Sequence, residues 1–280
     1  MADEYVYMEK ATWTGICDNI RTKAGTTSTM TASEAETAIS GISTGSAEDR
    51  LNDRIAGTLS GSITYDGEKV NDYALYMCGE VTSFSGQNVT YVGDSAFLGC
   101  NALTDVNLPA MTECGVSAFQ ACGFVSVNFP KLKDVQSEAF QYCRSMTSVC
   151  LPAVVRFIRG YEFEDCRQFD NSAGLTTVDL PSLTSFGASG TFYGCNCLKS
   201  LILRSNTVCT LSVTPENLCE GYGSTNPVLT GTGGYVYVPA SLVDSYKTAT
   251  NWSVISDKFR ALESYTVDGT TTGALDSSKI

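Results

Sequence analysis

A phenylalanine with a cysteine three residues later recurs five times along this chain: Phe97 and Cys100, Phe119 and Cys122, Phe140 and Cys143, Phe163 and Cys166, Phe192 and Cys195. The phenylalanines are 22, 21, 23 and 29 residues apart. A period in that range belongs to units stacked in series, because so short a segment cannot bury its own apolar face and must lay it against a neighbour. In the first four units an apolar residue and a proline end the pattern, at Leu108-Pro109, Phe129-Pro130, Leu151-Pro152 and Leu180-Pro181. In the fifth, Arg204 stands where proline is expected.

The spacing within one unit assigns roles. Val92, Cys114, Val135, Ile158 and Phe186 open successive units as apolar pegs, and a helical turn around an Ala-Phe pair carries the phenylalanine inward. A short strand follows, with alternate residues turned to the core: Val106 and Leu108, Val127 and Phe129, Val149 and Leu151, Val178 and Leu180, Leu201 and Leu203. The predicted fold is an α/β repeat, a leucine-rich-repeat solenoid of parallel strands and short helical turns. Its strands form a parallel sheet on one face, and each proline ends the ladder. The outward strand positions make a polar stripe that includes Asp105, Asn107, Ser126, Asn128, Ser148, Thr177, Asp179 and Ser200. Asp105, Asn107, Asn128, Thr177 and Asp179 are the candidate ligand contacts, able to hydrogen-bond sugars or a protein; the plainer reading is the solvated face of a sheet. The fourth unit also holds an insertion-like stretch, Phe169 to Gly174. Insertions in such arrays map to loops on one face, so 167–174 is a second candidate contact, with a tolerated length change as the alternative.

The chain divides into 1–50, 51–211, 212–265 and 266–280. In the first segment Trp13, Ile16, Cys17 and Ile20 share a helix face. Thr31 and Glu34 form a capping box ahead of Ala35, Ala38, Ile39 and Ile42, which completes a two-helix hairpin. So small a hairpin buries little by itself. Trp13, Ile16, Ile20, Ile39 and Ile42 are therefore candidate docking or oligomerisation residues, with packing back onto the repeats as the alternative. Residues 43–50 are a polar linker. A degenerate first unit, with Ala74-Leu75 and Cys78 in the Ala-Phe and Cys places, precedes the clear repeats. Val236, Val238 and Pro239 repeat the strand-proline ending, and Leu242, Val243, Tyr246 and Ala249 give a helix face with Trp252 beyond it, a C-terminal cap. The small polar residues of 266–280 are expected to be mobile or bound to a partner.

A net charge of −12 and a pI of about 4.4 repel a phosphate backbone, so nucleic acid is not an expected partner. No apolar run approaches the ~20 residues that span a bilayer, so membrane insertion is not expected either. The start, MADEYVYMEK, lacks the basic-then-apolar pattern of a secretory signal, which predicts a protein made in the cytosol and not exported by the Sec route. Of twelve cysteines, Cys78, Cys100, Cys122, Cys143, Cys166 and Cys195 share one register, as stacked buried thiols rather than disulfides. The absence of histidine removes Ser-His-Asp and Cys-His catalysis and histidine metal sites. Gly41-Ile-Ser43-Thr-Gly45 has the G-x-S-x-G form but follows a helix and has no histidine to work with. No P-loop or EF-hand pattern occurs. A carboxylate pair for glycoside hydrolysis needs only proximity in space, and nothing singles one out. The expectation is a protein without catalytic residues, metal or cofactor.

VGDSAFLGCNALTDVNLP (92–109) is similar to the BspA-type leucine-rich repeat, whose unit has an Ile-Gly-x-x-Ala-Phe-x-x-Cys-x-x-Leu core followed by an apolar strand and proline. The likeness covers about 70–211. Departures are Leu75 for Phe, Glu162 and Thr191 for Ala, and the missing fifth proline. LILRSNTVCTL (201–211) with YVYVPASLVDSYKTATNWS (235–253) resembles the C-terminal part of repeat proteins from bacteriophages of gut bacteria. TWTGICDNIRTKAGTTSTMTASEAETAISGI (12–42) resembles a short module that such phages place ahead of tail or other virion domains. The resemblance implies a non-enzymatic virion protein of tail or fibre type. Its N-terminus would dock on other virion proteins, and it would be a homo-oligomer, a trimer by likeness to fibre proteins. Its repeats would face a protein or polysaccharide of the bacterial surface. A bacterial BspA-like surface adhesin, a head decoration protein and a glycan depolymerase are the alternatives.

Overall fold

The computed structural model describes residues 59–157, 159–167, 173–219 and 225–262, with the backbone of 266–267 and 270–271. The predicted hairpin, with Trp13, Ile16, Ile20, Ile39 and Ile42, lies outside the described residues, as does its linker.

Two parallel ladders run along the repeats. The first is built from the strand that follows each cysteine. Gly61–Thr64, Val81–Ser85 and Asp105–Asn107 pair in series. Ser126–Asn128, Ser148–Cys150, Thr177–Leu180, Ser200–Leu203, Tyr235–Val238 and Phe259–Ala261 form a second, six-stranded set. The register is that of the repeat, with Val127 opposite Val149, Val149 opposite Val178, and Val178 opposite Leu201. The pegs build the other ladder. Lys69–Val70, Tyr91–Val92, Glu113–Cys114 and Asp134–Val135 pair in series, and so do Arg156–Phe157, Ser185–Phe186 and Thr210–Leu211. The single sheet predicted from the strands thus has a narrower counterpart.

One peg differs from expectation. Phe157, not Ile158, opens the fourth unit: it is fully buried and pairs with Phe186. Phe157 precedes Phe163 by six residues, as Phe186 precedes Phe192, so the fourth and fifth units share one extra residue. Ile158 lies outside the described residues.

The Ala-Phe segment is not the predicted helical turn. It is a run of overlapping β-turns. The N–H groups of Ala96, Leu98 and Cys100 donate three residues back, to Gly93, Ser95 and Phe97. Those of Ser95, Phe97 and Gly99 donate instead to Val116, Ala118 and Gln120 in the next unit. A helix keeps its N–H groups on its own axis; here alternate ones stitch one unit to the next. Two left-handed residues per unit make this possible: Ser95 and Gly99, Ser117 and Ala121, Glu138 and Tyr142, Tyr161 and Asp165, Gly190 and Gly194. A positive φ at the third residue is what a type II turn demands. The stitching continues from Leu75 N–H to Ala96 O (2.7 Å), through Phe119 to Ala139 (2.9 Å) and Phe163 to Thr191 (3.0 Å), to Phe192 and Leu218 (2.8 Å). Leu218 belongs to a one-turn helix, Pro215–Cys219, which takes the place of the turn.

Inside the turns the phenylalanines form a parallel stack. Successive rings from Phe97 to Phe192 are 5.3, 5.6, 5.5 and 6.0 Å apart and within 11° of parallel. From Cys100 onward each repeat cysteine donates its thiol proton to the unit before. Cys122 reaches Phe97 O (3.2 Å), Cys143 reaches Phe119 O (3.1 Å), Cys166 reaches Phe140 O (3.1 Å) and Cys195 reaches Phe163 O (2.9 Å). The site therefore wants a small, weakly polar donor rather than a second large apolar residue. No disulfide joins these thiols. Burial pushes those of Cys100 and Cys143 up to about 12, far from the reactive thiolate. Alkylation of the native protein with iodoacetamide is accordingly expected to spare Cys100, Cys122, Cys143 and Cys166 and to modify the half-exposed Cys197. Peptide mass spectrometry reads the result, and equal labelling rates would refute it.

Pro109, Pro130, Pro152 and Pro181 each take the second place of a β-turn, where a fixed φ is an asset. The turns are closed by the N–H groups of Met111, Leu132, Val154 and Leu183, all buried. At the C-terminal end Trp252 Nε1 donates to Cys209 O (2.6 Å), and the Tyr246 hydroxyl accepts from Cys209 N–H (2.8 Å). The backbone that leads into the last peg strand, Thr210–Leu211, is satisfied in this way by side chains. Within 266–280, Thr266–Val267 pairs antiparallel with Thr270–Thr271.

Candidate recognition surface

Along the strand ladder the outward positions run Ser85, Asn107, then Asn128, Cys150, Asp179, Ile202 and Tyr237. Asp105, Asn107 and Asn128 are exposed and Thr177 is half-buried. The ladder is interrupted between Asp105–Asn107 and Ser126–Asn128. The physical reason is one missing residue: Cys122 is five residues from Val127, whereas Cys100 is six from Val106. Phe124 fills the place of Leu103, and both are fully buried.

From Cys150 onward these outward positions are covered. Cys150, Ile202 and Tyr237 are buried, and Asp179 is fully so. Asp179 is therefore not the ligand contact predicted for it. Arg204 Nε lies 2.9 Å from its Oδ1, and Nη2 lies 2.6 Å from its Oδ2. The pairing is bidentate, the strongest form available to a carboxylate. Burial raises the Asp179 carboxyl, and the Arg204 guanidinium opposes the shift. The clue in the sequence is Arg204 itself, which replaces a proline just past the end of the neighbouring strand.

The turn face carries a surface that strand periodicity does not reveal. Gln120 Nε2 donates to Gln141 Oε1, and Gln141 Nε2 donates to Glu164 Oε2, a line across three units. These three residues occupy one repeat place, directly after the phenylalanine, which is the signal that could have found them. Burial raises the Glu164 carboxyl, with the bond from Gln141 opposing. Tyrosines flank the line. The Tyr161 and Tyr193 rings are 6.1 Å apart at 61°, and the Arg144 guanidinium stands 5.1 Å over the Tyr142 ring. Arg167, at the base of the predicted insertion loop, bonds Asp165 (3.1 Å) and bridges to Gly174. Residues 168–172 of that loop lie outside the described residues. Among the described residues no cluster of three or more potential ligands is placed to hold a metal, and no helix is long and apolar enough to cross a membrane.

The family model of the BspA type leucine rich repeat region matches in six copies over residues 68–171 and 166–213, together just over half of the chain. This chain belongs to the BspA-type leucine-rich repeat family. Solved structures similar to it include a leucine-rich repeat protein of T. pallidum, at 26% identity over 49% of this chain and 77% of that one, with a TM-score of 0.36. A leucine-rich repeat protein from Bacteroides ovatus shows 19% identity over 66% and 68%, with a TM-score of 0.31. A leucine rich cell surface protein from Faecalibacterium prausnitzii shows 14% over 78% and 83%, with a TM-score of 0.28. No curated protein matches.

Where this BspA-type chain leaves the family's repeat, its core becomes polar. Glu162 and Thr191 replace the small alanine in adjacent units, and both are fully buried. Glu162 Oε1 accepts from Gly160 N–H (2.8 Å), while Glu162 Oε2 and Thr191 Oγ1 are buried side by side without a hydrogen bond of regular geometry. Burial raises the Glu162 carboxyl above its usual 4.5, with the N–H groups of Glu162 and Gly160 and the Thr191 hydroxyl opposing. A raised carboxyl makes the folded state the better proton binder. Its contribution to stability is full below that usual value and is lost as pH rises through the folded value. The Tm is expected to fall from acid towards neutral pH, and Glu162→Gln to flatten part of that fall. A profile that Glu162→Gln leaves unchanged would assign the titration elsewhere; Glu164 and Asp179, raised in the same direction, are the remaining carboxyls.

Proposed function

We propose that this chain is a non-enzymatic recognition protein, a virion component of tail or fibre type. It docks on other virion proteins through residues 1–50, assembles there as a homo-oligomer, and presents its repeats to a protein or polysaccharide of a bacterial surface. The observation that carries this reading is the division of labour within each repeat. Phenylalanine, cysteine and aliphatic side chains go to the core, and alternate turn N–H groups go to the next unit. What remains outward differs from unit to unit at fixed spacing: Asp105 and Ser126 on the strand face, Ser95, Glu138 and Tyr161 at one place of the turn face, and Ala121, Tyr142 and Asp165 at another. A stacked scaffold with varied exposed positions suits recognition of an extended surface. The virion setting rests on the likeness of 12–42 and of 201–211 with 235–253 to phage repeat proteins. Electron microscopy of phage particles carrying a labelled C-terminus is the test, with label expected at the tail; a particle without the protein overturns the reading. Family membership favours a second reading, an adhesin on the bacterial cell itself, and finding the native protein on uninfected cells would establish it instead.

A further inference from the structure

We infer that the turn face around Tyr142 and Tyr161 binds a neutral polysaccharide chain; this deepens the recognition reading and rests on it. The first observation is in the backbone. Tyr142 (φ 58°) and Tyr161 (φ 62°) occupy left-handed positions, which carry a steric penalty for any residue with a Cβ. In the fifth unit the same two places are taken by Gly190 (φ 79°) and Gly194 (φ 68°), which adopt them without that penalty. The turn therefore does not require a side chain there, least of all an aromatic one. Nor does the core, since Tyr161 is 41% exposed and Tyr142 is half-buried. Ser95, Ala121, Glu138 and Asp165 hold the same conformation in other units, so what sets Tyr142 and Tyr161 apart is the large, partly exposed ring each carries, which points to work done on the solvent side.

The second observation is the chemistry beside the rings. In the line Gln120–Gln141–Glu164 each bond holds the next planar group in a fixed orientation. The outer members, Gln120 and Glu164, are half-buried and keep donor and acceptor positions beyond the bond each makes. Sugars present what this pair of features complements: an apolar C–H face for a ring, and adjacent hydroxyls for a planar amide or carboxylate. The features span three stacked units at a strand spacing of about 4.8 Å, which favours a chain over a single sugar. Charge selects the kind of chain. The protein carries −12, and around Tyr142 the carboxylates of Glu138, Glu164 and Asp165 outnumber the Arg144 guanidinium, an arrangement that repels a polyanion.

Affinity electrophoresis of the full chain through gels containing dextran, laminarin, mannan or arabinoxylan tests this, with polygalacturonate as the anionic control and binding to intact bacteria measured in parallel. At least one neutral polysaccharide is expected to retard the wild type. Tyr142→Gly and Tyr161→Gly should each weaken that retardation about tenfold or more, with little change in Tm, because glycine relieves the left-handed strain while the contacts of the ring with Arg144 or with Gly190 and Tyr193 are lost. Tyr161→Phe, which keeps the ring, and Asn107→Ala with Asn128→Ala, on the strand face, should behave as wild type. Loss through the asparagines but not the tyrosines overturns the inference. So does retardation by polygalacturonate alone, or a Tm that falls in Tyr161→Gly in step with binding. A wild type that binds bacteria but no neutral polysaccharide overturns the inference and leaves the recognition reading standing; one that binds neither sinks both.

Discussion

Phe119→Ala is expected to cost about 3–5 kcal/mol and to shift the midpoint of urea unfolding accordingly. The Phe119 ring lies between Phe97 and Phe140 and also meets Phe124 (5.7 Å) and Phe129 (5.5 Å). It is fully buried. Removing it from water contributes roughly 1.5–3 kcal/mol, and the remainder of the loss is the cavity left among rings that cannot collapse onto it. Stacked repeats rest only on their neighbours, so one truncation weakens two interfaces. Phe119→Leu, which copies Leu75 of the first unit, should recover part of the loss. An unchanged midpoint in Phe119→Ala would mean that the phenylalanine stack does not hold the array together.

Arg204→Ala is expected to be as damaging, about 3–5 kcal/mol, for a different reason. Asp179 is fully buried, and without the guanidinium its charge has lost its bidentate partner. The variant should also become less stable as pH rises, because the carboxyl that burial already raises must then ionise without its counter-charge. Replacing both partners is predicted to be far milder than replacing one. Asp179→Val with Arg204→Pro gives the strand an apolar residue and restores the proline ending, and apolar substitutes for a buried pair are often neutral. A double-mutant cycle measures the coupling directly. If the double variant is no more stable than Arg204→Ala, the pair is not the element that matters.

The buried positions are legible because burial imposes spacing: the repeat phenylalanines and cysteines are buried where the period puts them, and so are the predicted inward strand residues except Val106, which is half-buried. The fourth peg was displaced by one because Phe157 and Ile158 are both apolar, and only pairing with Phe186 separates them. Asp179 looked outward because strand alternation says so. Its fate is decided by Arg204, 25 residues away and just past the end of the adjacent strand, whose register sets Ile202 opposite Asp179 and leaves the long arginine side chain to reach back to the carboxylate. Overlapping turns and helical turns share one sequence pattern, because either carries a phenylalanine inward. What distinguishes them is a left-handed backbone at residues as unlike as Ser95, Glu138, Tyr161 and Gly190. Those residues share a conformation and no side-chain property, so pattern alone is silent about the face they create.

The interruptions in the two ladders fall in different places. The strand ladder stops between Asp105–Asn107 and Ser126–Asn128; among the described residues the peg ladder stops between Asp134–Val135 and Arg156–Phe157. A mason would call these joints staggered. A crack opened at the first meets unbroken peg strands on the far side, and one opened at the second meets unbroken valine-to-valine pairs. Across both, the turn bonds run through like a tie course, from Phe97 to Ala118 and from Phe140 to Glu162. Pulled or sheared at its ends, the array has among its described residues no plane along which both ladders part together, so units of unequal length are bonded into a single wall.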